Sequence, residues 1–325
     1  MSGLKTLFKQ TFIYGLATVL PRMLSFILVP LYTTKGVLSS VAEYGQVSVI
    51  FSYFVLFNVV LAYGMETAFF RFFNKEDGKN QVVGTSTISL IITSFGFFIL
   101  ALIFQNQIAF FIDIDVKYIN LVIWILLLDA LTIIPFAWLR ATQRPMRYAF
   151  IKILNVIINL GFNLFFLLAL KNLASKGAFF ESIYRPNFEI SYIFIANLIA
   201  SGVTLLIVVP FYVKTKYVFN KALWKSMMRY AFPVLVAGVA FSINETFDRI
   251  LLKELLPPNI ADTDIGMYSA CYKIALFMTL FATAYRLGIE PFFFSHAKSE
   301  NPQKNYAIIL EFFVAFGSII LLSVV

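Results

Sequence analysis

Residues 11–34 read TFIYGLATVLPRMLSFILVPLYTT, an apolar stretch that Pro21 and Arg22 interrupt near its middle. At a rise of about 1.5 Å per residue, a helix of this length crosses the roughly 30 Å hydrocarbon core of a bilayer. A guanidinium at mid-depth costs about 2.5–3.5 kcal/mol on insertion scales, so Arg22 is expected to face protein or water rather than lipid. The stretch therefore predicts a membrane-spanning helix that carries an inward-facing cation.

The polar side chains of this stretch share one face of the predicted helix. They recur at intervals of three and four residues: Tyr14, Thr18, Arg22 and Ser25. Two interpretations of Arg22 are open. The guanidinium can attract an anion inside a transporter, or it can be structural, bound to a neighbouring carboxylate or to carbonyls that Pro21 leaves without a donor.

The composition is that of an all-α, polytopic membrane protein rather than a soluble domain. Sixty per cent of the 325 residues are apolar, 13% are charged, and the mean hydropathy is +0.83. One cysteine and one histidine, Cys271 and His296, exclude a disulfide framework and a Cys/His metal site. The sequence holds no glycine-rich phosphate loop, metal-binding His/Glu helix or G-x-S-x-G elbow, so we expect neither an enzyme nor a metal or organic cofactor.

Nine apolar stretches are long enough to span a membrane. They are 11–34, 43–68, 82–104, 118–139, 148–170, 190–213, 230–252, 265–290 and 306–325. Most of the Lys and Arg residues between spans lie in the loops on the same side as the N-terminus. Because cytoplasmic loops are rich in these residues, the N-terminus is predicted to be cytoplasmic.

A short internal repeat predicts two lobes. EYGQVS at 43–48 opens the second span and DIGMYS at 264–269 opens the eighth, with acid, Gly and Ser 221 positions apart in each case. Parallel repeats of this kind occur in transporters. The predicted domains are a six-helix lobe (1–213), a cytoplasmic amphipathic linker (214–229) and a partial second lobe of three helices (230–325). A plain solvated segment is the alternative for the linker.

The short second lobe predicts that the chain is a truncated form or fragment of a longer protein. A complete nine-span protein is the alternative.

The fourth and fifth spans carry intramembrane polar residues. Asp129 lies at about the predicted depth of Arg22, so the two could form a buried pair, or Asp129 could be a protonatable carboxylate across a hydrated cavity. Asn155, Asn159 and Asn163 follow one another in four-residue steps along the fifth span. Such an amide stripe either holds helices together or lines a pathway.

The seventh span carries Glu245, Asp248 and Arg249. Glu245 and Arg249 have the i,i+4 spacing of an ion pair within one helix. This leaves Asp248 to meet Lys273 of the eighth span at similar depth. Neutralised clusters of this kind are the least costly way to bury charge in a membrane.

Two weaker patterns lie at the ends of the spans. Glu66 is close to Arg71 in sequence, which predicts an ion pair at the membrane boundary. The D-x-D pairs at 113–115 and 262–264 mimic a metal-binding motif, although a coincidence of two residues is common.

Three motifs in the first two spans resemble a known family: PLY at 30–32, AEYG at 42–45 and GMETAFFRF at 64–72. They are similar to the polysaccharide transport family, which includes flippases for O-antigen and related lipid-linked oligosaccharides. This family belongs to the multidrug/oligosaccharidyl-lipid/polysaccharide exporter superfamily. The resemblance implies two six-helix lobes around a central cavity.

The implied activity is alternating access. It would carry an undecaprenyl-pyrophosphate-linked glycan to the outer leaflet of a bacterial inner membrane for lipopolysaccharide and other surface polysaccharides.

The resemblance also assigns expected roles to the polar residues. Cavity cations would hold the pyrophosphate, and the matching candidates are Arg22, Arg249 and Lys273. The asparagine stripe would contact sugar. Candidates for coupling to H⁺ or Na⁺ are Asp129, Glu245 and Asp248.

The expected partners are the lipid-linked oligosaccharide, membrane lipids, and the glycosyltransferases and polymerase of the same pathway, with no nucleic acid. Rival functions are a multidrug or cation antiporter of the same fold, a membrane glycosyltransferase or polymerase, and an inactive fragment.

Overall fold

The computed structural model describes residues 26–34, 36–75, 78–296 and 302–324. These residues are predominantly helical and contain no β-strand. The chain divides into two compact units, Met1–Gly266 and Met267–Val325. The protein is an all-α polytopic membrane protein, as its composition predicts.

The helices of the described part follow one another through short turns. In chain order they are α1 (Leu28–Thr33), α2 (Val41–Ala62), α3 (Met65–Lys75), α4 (Lys79–Ile103), α5 (Gln105–Phe111), α6 (Val116–Ala141), α7 (Pro145–Leu164), α8 (Leu170–Ala174), α9 (Ala178–Ile183), α10 (Glu189–Lys214), α11 (Lys221–Leu255), α12 (Pro258–His296) and α13 (Pro302–Val324). A π-helical turn, Phe165–Ala169, joins α7 to α8.

Within the described ranges, six helical segments are apolar and long enough to cross a membrane. They are Val41–Lys75, Lys79–Ile103, Val116–Ala141, Pro145–Ala174, Glu189–Lys214 and Lys221–Leu255. These segments correspond one to one to the second through seventh predicted spans, which are thereby confirmed. The eighth and ninth predicted spans fall on α12 and α13. Most of the first lies outside the described residues.

The two ends of the helices differ in charge. We call one the basic end, formed by residues 71–75, 78–79, 140–147 and 214–229; this is the end that the sequence predicts to be cytoplasmic. We call the other the distal end, formed by residues 36–43, 104–116 and 253–264. Helix α6 runs from the distal end to the basic end, whereas α7 and α11 begin at the basic end.

Helix α6 is the centre of the first unit. It packs against α2, α3, α4, α7 and α10. Its apolar span is 61% buried inside the protein, against 17% for the spans that contain α7 and α11. Helix α11 packs against α2, α3 and α4. The polar residues of α6 therefore meet protein, whereas much of the surface of α7 and α11 is not covered by the other described helices of the first unit.

A proline inside α6 leaves a backbone carbonyl unpaired, and a tyrosine of α10 donates a hydrogen bond to it. Pro135 has no N–H, so the Leu131 carbonyl four residues earlier loses its helical partner. The Tyr212 hydroxyl donates a hydrogen bond to that carbonyl. In lipid an unpaired carbonyl is costly, so this side chain both satisfies α6 and joins it to α10 near the basic end.

The glycines of the internal repeat meet at the distal end. A Cβ on Gly45 of α2 would overlap the backbone carbonyl of Asp262, and one on Gly266 of α12 would overlap that of Val41. Val41 and Asp262 are themselves 221 positions apart, so the two contacts are reciprocal. The repeat is thus a close backbone crossing that only glycine permits at both positions.

The predicted linker divides into two parts. Residues 215–220 are not helical, whereas 221–229 are the first turns of a helix that continues without a break to the end of α11. The non-helical part is held against α4, because Thr85 Oγ1 accepts a hydrogen bond from the Asn220 N–H at 3.0 Å. The predicted domain boundaries themselves stay a prediction.

The second unit contains the remainder of α12 and helix α13. In α12 the rings of Tyr268 and Tyr272 lie 6.0 Å apart, and in α13 those of Phe312 and Phe316 lie 6.4 Å apart. These pairs lie one helical turn apart, so each covers one face of its helix.

Candidate functional site

Arg249 is a buried cation of α11, with 6% of its surface exposed. Its Nη1 donates hydrogen bonds to Asp248 Oδ1 at 3.0 Å and to the backbone carbonyl of Glu245 at 3.1 Å. The partner carboxylate is therefore Asp248, and the predicted ion pair with the Glu245 side chain is wrong. The adjacent acid reaches the guanidinium because Asp248 also accepts from the Arg249 N–H, which turns its carboxylate toward the following residue.

Two further phosphate ligands were predicted, Arg22 and Lys273. Arg22 lies outside the described residues. Lys273 belongs to the second unit. The buried pair of Arg22 with Asp129 and the pair of Asp248 with Lys273 therefore stay predictions.

Asp129 lies where α6, α7 and α10 meet. Its Oδ1 accepts a hydrogen bond from Ser201 Oγ of α10 at 2.7 Å. Lys152 of α7 is near enough for its charge to act on the carboxylate. A titratable acid, a cation and a hydroxyl thus converge among three membrane-spanning helices, and we call these three residues the Asp129 cluster.

Sequence reasoning missed Lys152. Its Nζ lies 4.3 Å from the centroid of the Phe136 ring, a cation–π contact that helps to keep the ammonium inside the bundle. The signal was present, because Lys152 precedes Asn155 by three residues and so extends the asparagine stripe by one helical turn. An ionisable residue on such a stripe is a functional candidate by default.

The asparagine stripe joins helices. Asn155 Nδ2 donates to Thr204 Oγ1 of α10 at 2.9 Å. Asn163 Oδ1 accepts from the Tyr32 hydroxyl of α1 at 2.8 Å, and its Nδ2 donates to Asn159 Oδ1 at 2.9 Å. These contacts are those of the helix-joining interpretation. A contact of the three amides with sugar stays a prediction.

An ion cluster lies at the distal end. Lys253 Nζ of α11 contacts Asp262 Oδ1 at 3.0 Å and Asp113 Oδ2 at 3.4 Å. Gln46 Nε2 of α2 donates to Asp262 Oδ2 at 2.9 Å. The leading acids of the two D-x-D pairs therefore meet on a lysine ammonium. We call these four residues the distal cluster, and it joins α2, α11, α12 and the turn before α6.

An ion pair at the basic end joins two helices, whereas the predicted pair was between two residues close together in sequence. Glu66 of α3 pairs with Arg140 of α6, so the predicted pair with Arg71 is wrong. The Arg71 guanidinium instead lies 4.3 Å from the centroid of the Tyr230 ring of α11. Glu66 and Arg71 are five residues apart, which is not a same-face spacing on a helix.

The comparisons with known proteins identify a family. A family model described as polysaccharide biosynthesis protein matches residues 7–286, which is most of the chain. No curated protein and no solved structure matches the sequence.

Proposed function

Because the chain belongs to the polysaccharide biosynthesis protein family, we propose that it is a flippase for a lipid-linked oligosaccharide. The cargo is a glycan on undecaprenyl pyrophosphate, carried from the cytoplasmic to the outer leaflet of a bacterial inner membrane by alternating access. Glycosyltransferases supply this cargo and a polymerase consumes it. The family match across most of a polytopic helical chain is the observation that carries the proposal.

Arg249 is the described residue best suited to hold the pyrophosphate. An Arg guanidinium presents a planar fork of donors that matches phosphate oxygens, and its charge acts strongly where water is excluded. The contacts of Nη1 with Asp248 and the Glu245 carbonyl orient that fork. Arg22 and Lys273 are the further cations that the proposal assigns to the same anion.

The distal end supports alternating access. The distal cluster and the crossing of Gly45 with Gly266 join α2, α11 and α12 at one end of the first unit. To release cargo at that end, the contact of Lys253 with Asp262 has to break and the two glycines have to separate. We propose that this end faces the outside and is closed in the described state.

The Asp129 cluster is the proposed site of ion coupling. A carboxylate that interacts with a cation and a hydroxyl inside the membrane can bind H⁺, and its oxygen atoms can bind Na⁺. Binding of either ion changes the charge balance with Lys152, which lies on a different helix. The proposed consequence is a change in how α6 packs on α7. Glu245 and Asp248 stay as secondary candidates for this role.

Transport by the purified protein in liposomes tests the function. The cargo is a short-chain polyprenyl-pyrophosphate oligosaccharide, and the readout is its accessibility to an external glycosidase. Arg249→Ala should slow flipping about tenfold or more, because hydrogen bonds to charged groups contribute roughly 1.5–3 kcal/mol.

The matched control is Lys176→Ala, which removes an exposed cation and should leave flipping unchanged. Wild-type protein that leaves the glycan on one side of the membrane would overturn the proposal. Export of a lipophilic cation without movement of the glycan would overturn it in favour of the antiporter rival.

A further inference from the structure

A half-open cleft of about 680 Å³ lies at the basic end of the first unit. It is bounded by the start of α4, the end of α6, the start of α7, the end of α10 and residues 215–216. Its volume lies within the range of about 300–1,000 Å³ that is usual for ligand pockets. The cleft receives no residue from α1, α2, α11 or α12 among the described ranges, so it is separate from Arg249 and the distal cluster.

The charged side chains that line the cleft are all basic. They are Arg144, Arg147, Lys214 and Lys216. All four residues are exposed, and none takes part in an ion pair within the described part of the chain. Arg144 is held at the rim, because its guanidinium lies 4.8 Å from the centroid of the Trp138 ring. The cleft therefore presents unneutralised positive charge, which attracts an anion.

A helix terminus adds to this charge. Met146 and Arg147 line the cleft from the first turn of α7, which begins at Pro145 and runs for 20 residues. The first-turn N–H groups of an α-helix have no partner within the helix, and the terminus carries a partial positive charge. Together with the side-chain cations, this makes an arrangement suited to a phosphate.

The wall that carries Lys216 is held in place by α4. A Cβ on Gly84 would lie 2.6 Å from the Lys216 carbonyl and 2.7 Å from the Val218 N–H nitrogen, so the chain rests directly on this glycine. Thr85 Oγ1 donates to the Val218 carbonyl at 3.3 Å. The backbone that carries Lys216 is therefore held against α4 by these contacts.

The opening of the cleft is apolar and continuous with the lipid-facing surface. Met146 is 67% exposed and Phe150 is 63% exposed, both on α7. Farther from the basic end on the two helices, Ile157 of α7 and Leu206 of α10 are exposed as well. A ligand in the cleft thus meets cations at the basic end and hydrocarbon toward the membrane interior.

We propose that the cleft binds an anionic phospholipid of the leaflet at the basic end. The headgroup phosphate lies among Arg144, Arg147, Lys214 and Lys216. The part of an acyl chain nearest the headgroup lies along Met146 and Phe150. Basic clefts between membrane helices recognise anionic headgroups through this combination. A soluble anion would gain nothing from the apolar opening, and the cargo proposed above would bind on other helices. The inference rests on the membrane location and not on the flippase proposal.

The test measures lipid retention by the full chain. Protein is equilibrated with phosphatidylglycerol or phosphatidylcholine in mixed micelles, and native mass spectrometry counts the bound lipid. Wild type should retain phosphatidylglycerol preferentially. The variant with Arg144, Arg147, Lys214 and Lys216 all changed to Gln should bind it about tenfold or more weakly. Lys171→Gln with Lys176→Gln removes exposed cations elsewhere and should leave retention unchanged.

A second variant keeps the proposal testable if the fourfold variant does not fold. Phe150→Asp places an acid at the exposed apolar opening and should also reduce phosphatidylglycerol retention, with unchanged far-ultraviolet circular dichroism. Equal retention of the two lipids by wild type would overturn the proposal, as would retention unaffected by either variant. Competition by inorganic phosphate at equal concentration would assign the cleft to a soluble anion. Preferential retention of undecaprenyl pyrophosphate would assign it to cargo docking.

Discussion

Replacing Gly45 by alanine should force α2 away from α12 at the distal end. The added Cβ would overlap the Asp262 carbonyl, which is backbone and cannot rotate aside. Overpacking of this kind typically costs about 1–3 kcal/mol. Since 1 kcal/mol lowers the melting temperature of a domain of 150–250 residues by about 2–4 °C, Gly45→Ala should lower it by roughly 2–12 °C.

The reciprocal contact makes the expectation sharper. Gly266→Ala should have a similar cost, because its Cβ would overlap the Val41 carbonyl. Once either substitution has separated the two helices, the other adds less, so the double variant should cost less than the sum of the single variants. Neighbouring sites commonly show coupling of about 0.5–3 kcal/mol.

The assay is thermal unfolding of the purified protein in detergent, followed by circular dichroism. Gly161→Ala is the matched control, because a Cβ there would meet nothing within 4 Å and α7 is helical at that point. That substitution should be neutral or stabilising, since Ala is favoured over Gly inside a helix by about 1 kcal/mol. If Gly45→Ala melts at the same temperature as Gly161→Ala, or if the Gly45 and Gly266 costs simply add, the crossing is not as described.

Three further perturbations test separate contacts. Asp129→Asn should change how flipping depends on the proton or sodium gradient, and unchanged coupling would remove Asp129 from that role. Tyr212→Phe leaves the Leu131 carbonyl without its donor and should cost about 1–3 kcal/mol in thermal unfolding, whereas a neutral result would contradict that hydrogen bond. Glu66→Gln breaks a partly exposed pair with Arg140, so the cost should stay within about 1 kcal/mol, and a larger loss of stability would show that the pair is shielded from water.

The spans could be predicted because the bilayer imposes a local rule. A spanning helix needs about 20 apolar residues and satisfies its own backbone, so composition along the chain locates it without reference to neighbours. The six segments found in the described part confirm this for the second through seventh spans. The stripe of Asn155 and Asn159 was also visible from spacing alone, and Lys152 could have been added to it.

The side chains that form ion pairs with one another could not be predicted in the same way. Glu66 pairs with Arg140 because α3 packs on α6, and the spacing of residues along either helix does not predict which helices pack together. Asp113 and Asp262 meet on Lys253 only because the helix ends converge at the distal end. Even within α11, side-chain orientation decided that Arg249 contacts the carboxylate of Asp248 and not that of Glu245.

The sequence by itself determined that the chain crosses a membrane, which residues form the second through seventh spans, and that Asp129 and the asparagine stripe lie within them. It also revealed the repeat around Gly45 and Gly266. Only the tertiary structure decided that these glycines touch, which charges neutralise one another, and where unneutralised cations form a cleft. The physical reason is that transfer into lipid depends on each segment alone, whereas a contact depends on the relative position of two helices, which is a property of the packed bundle.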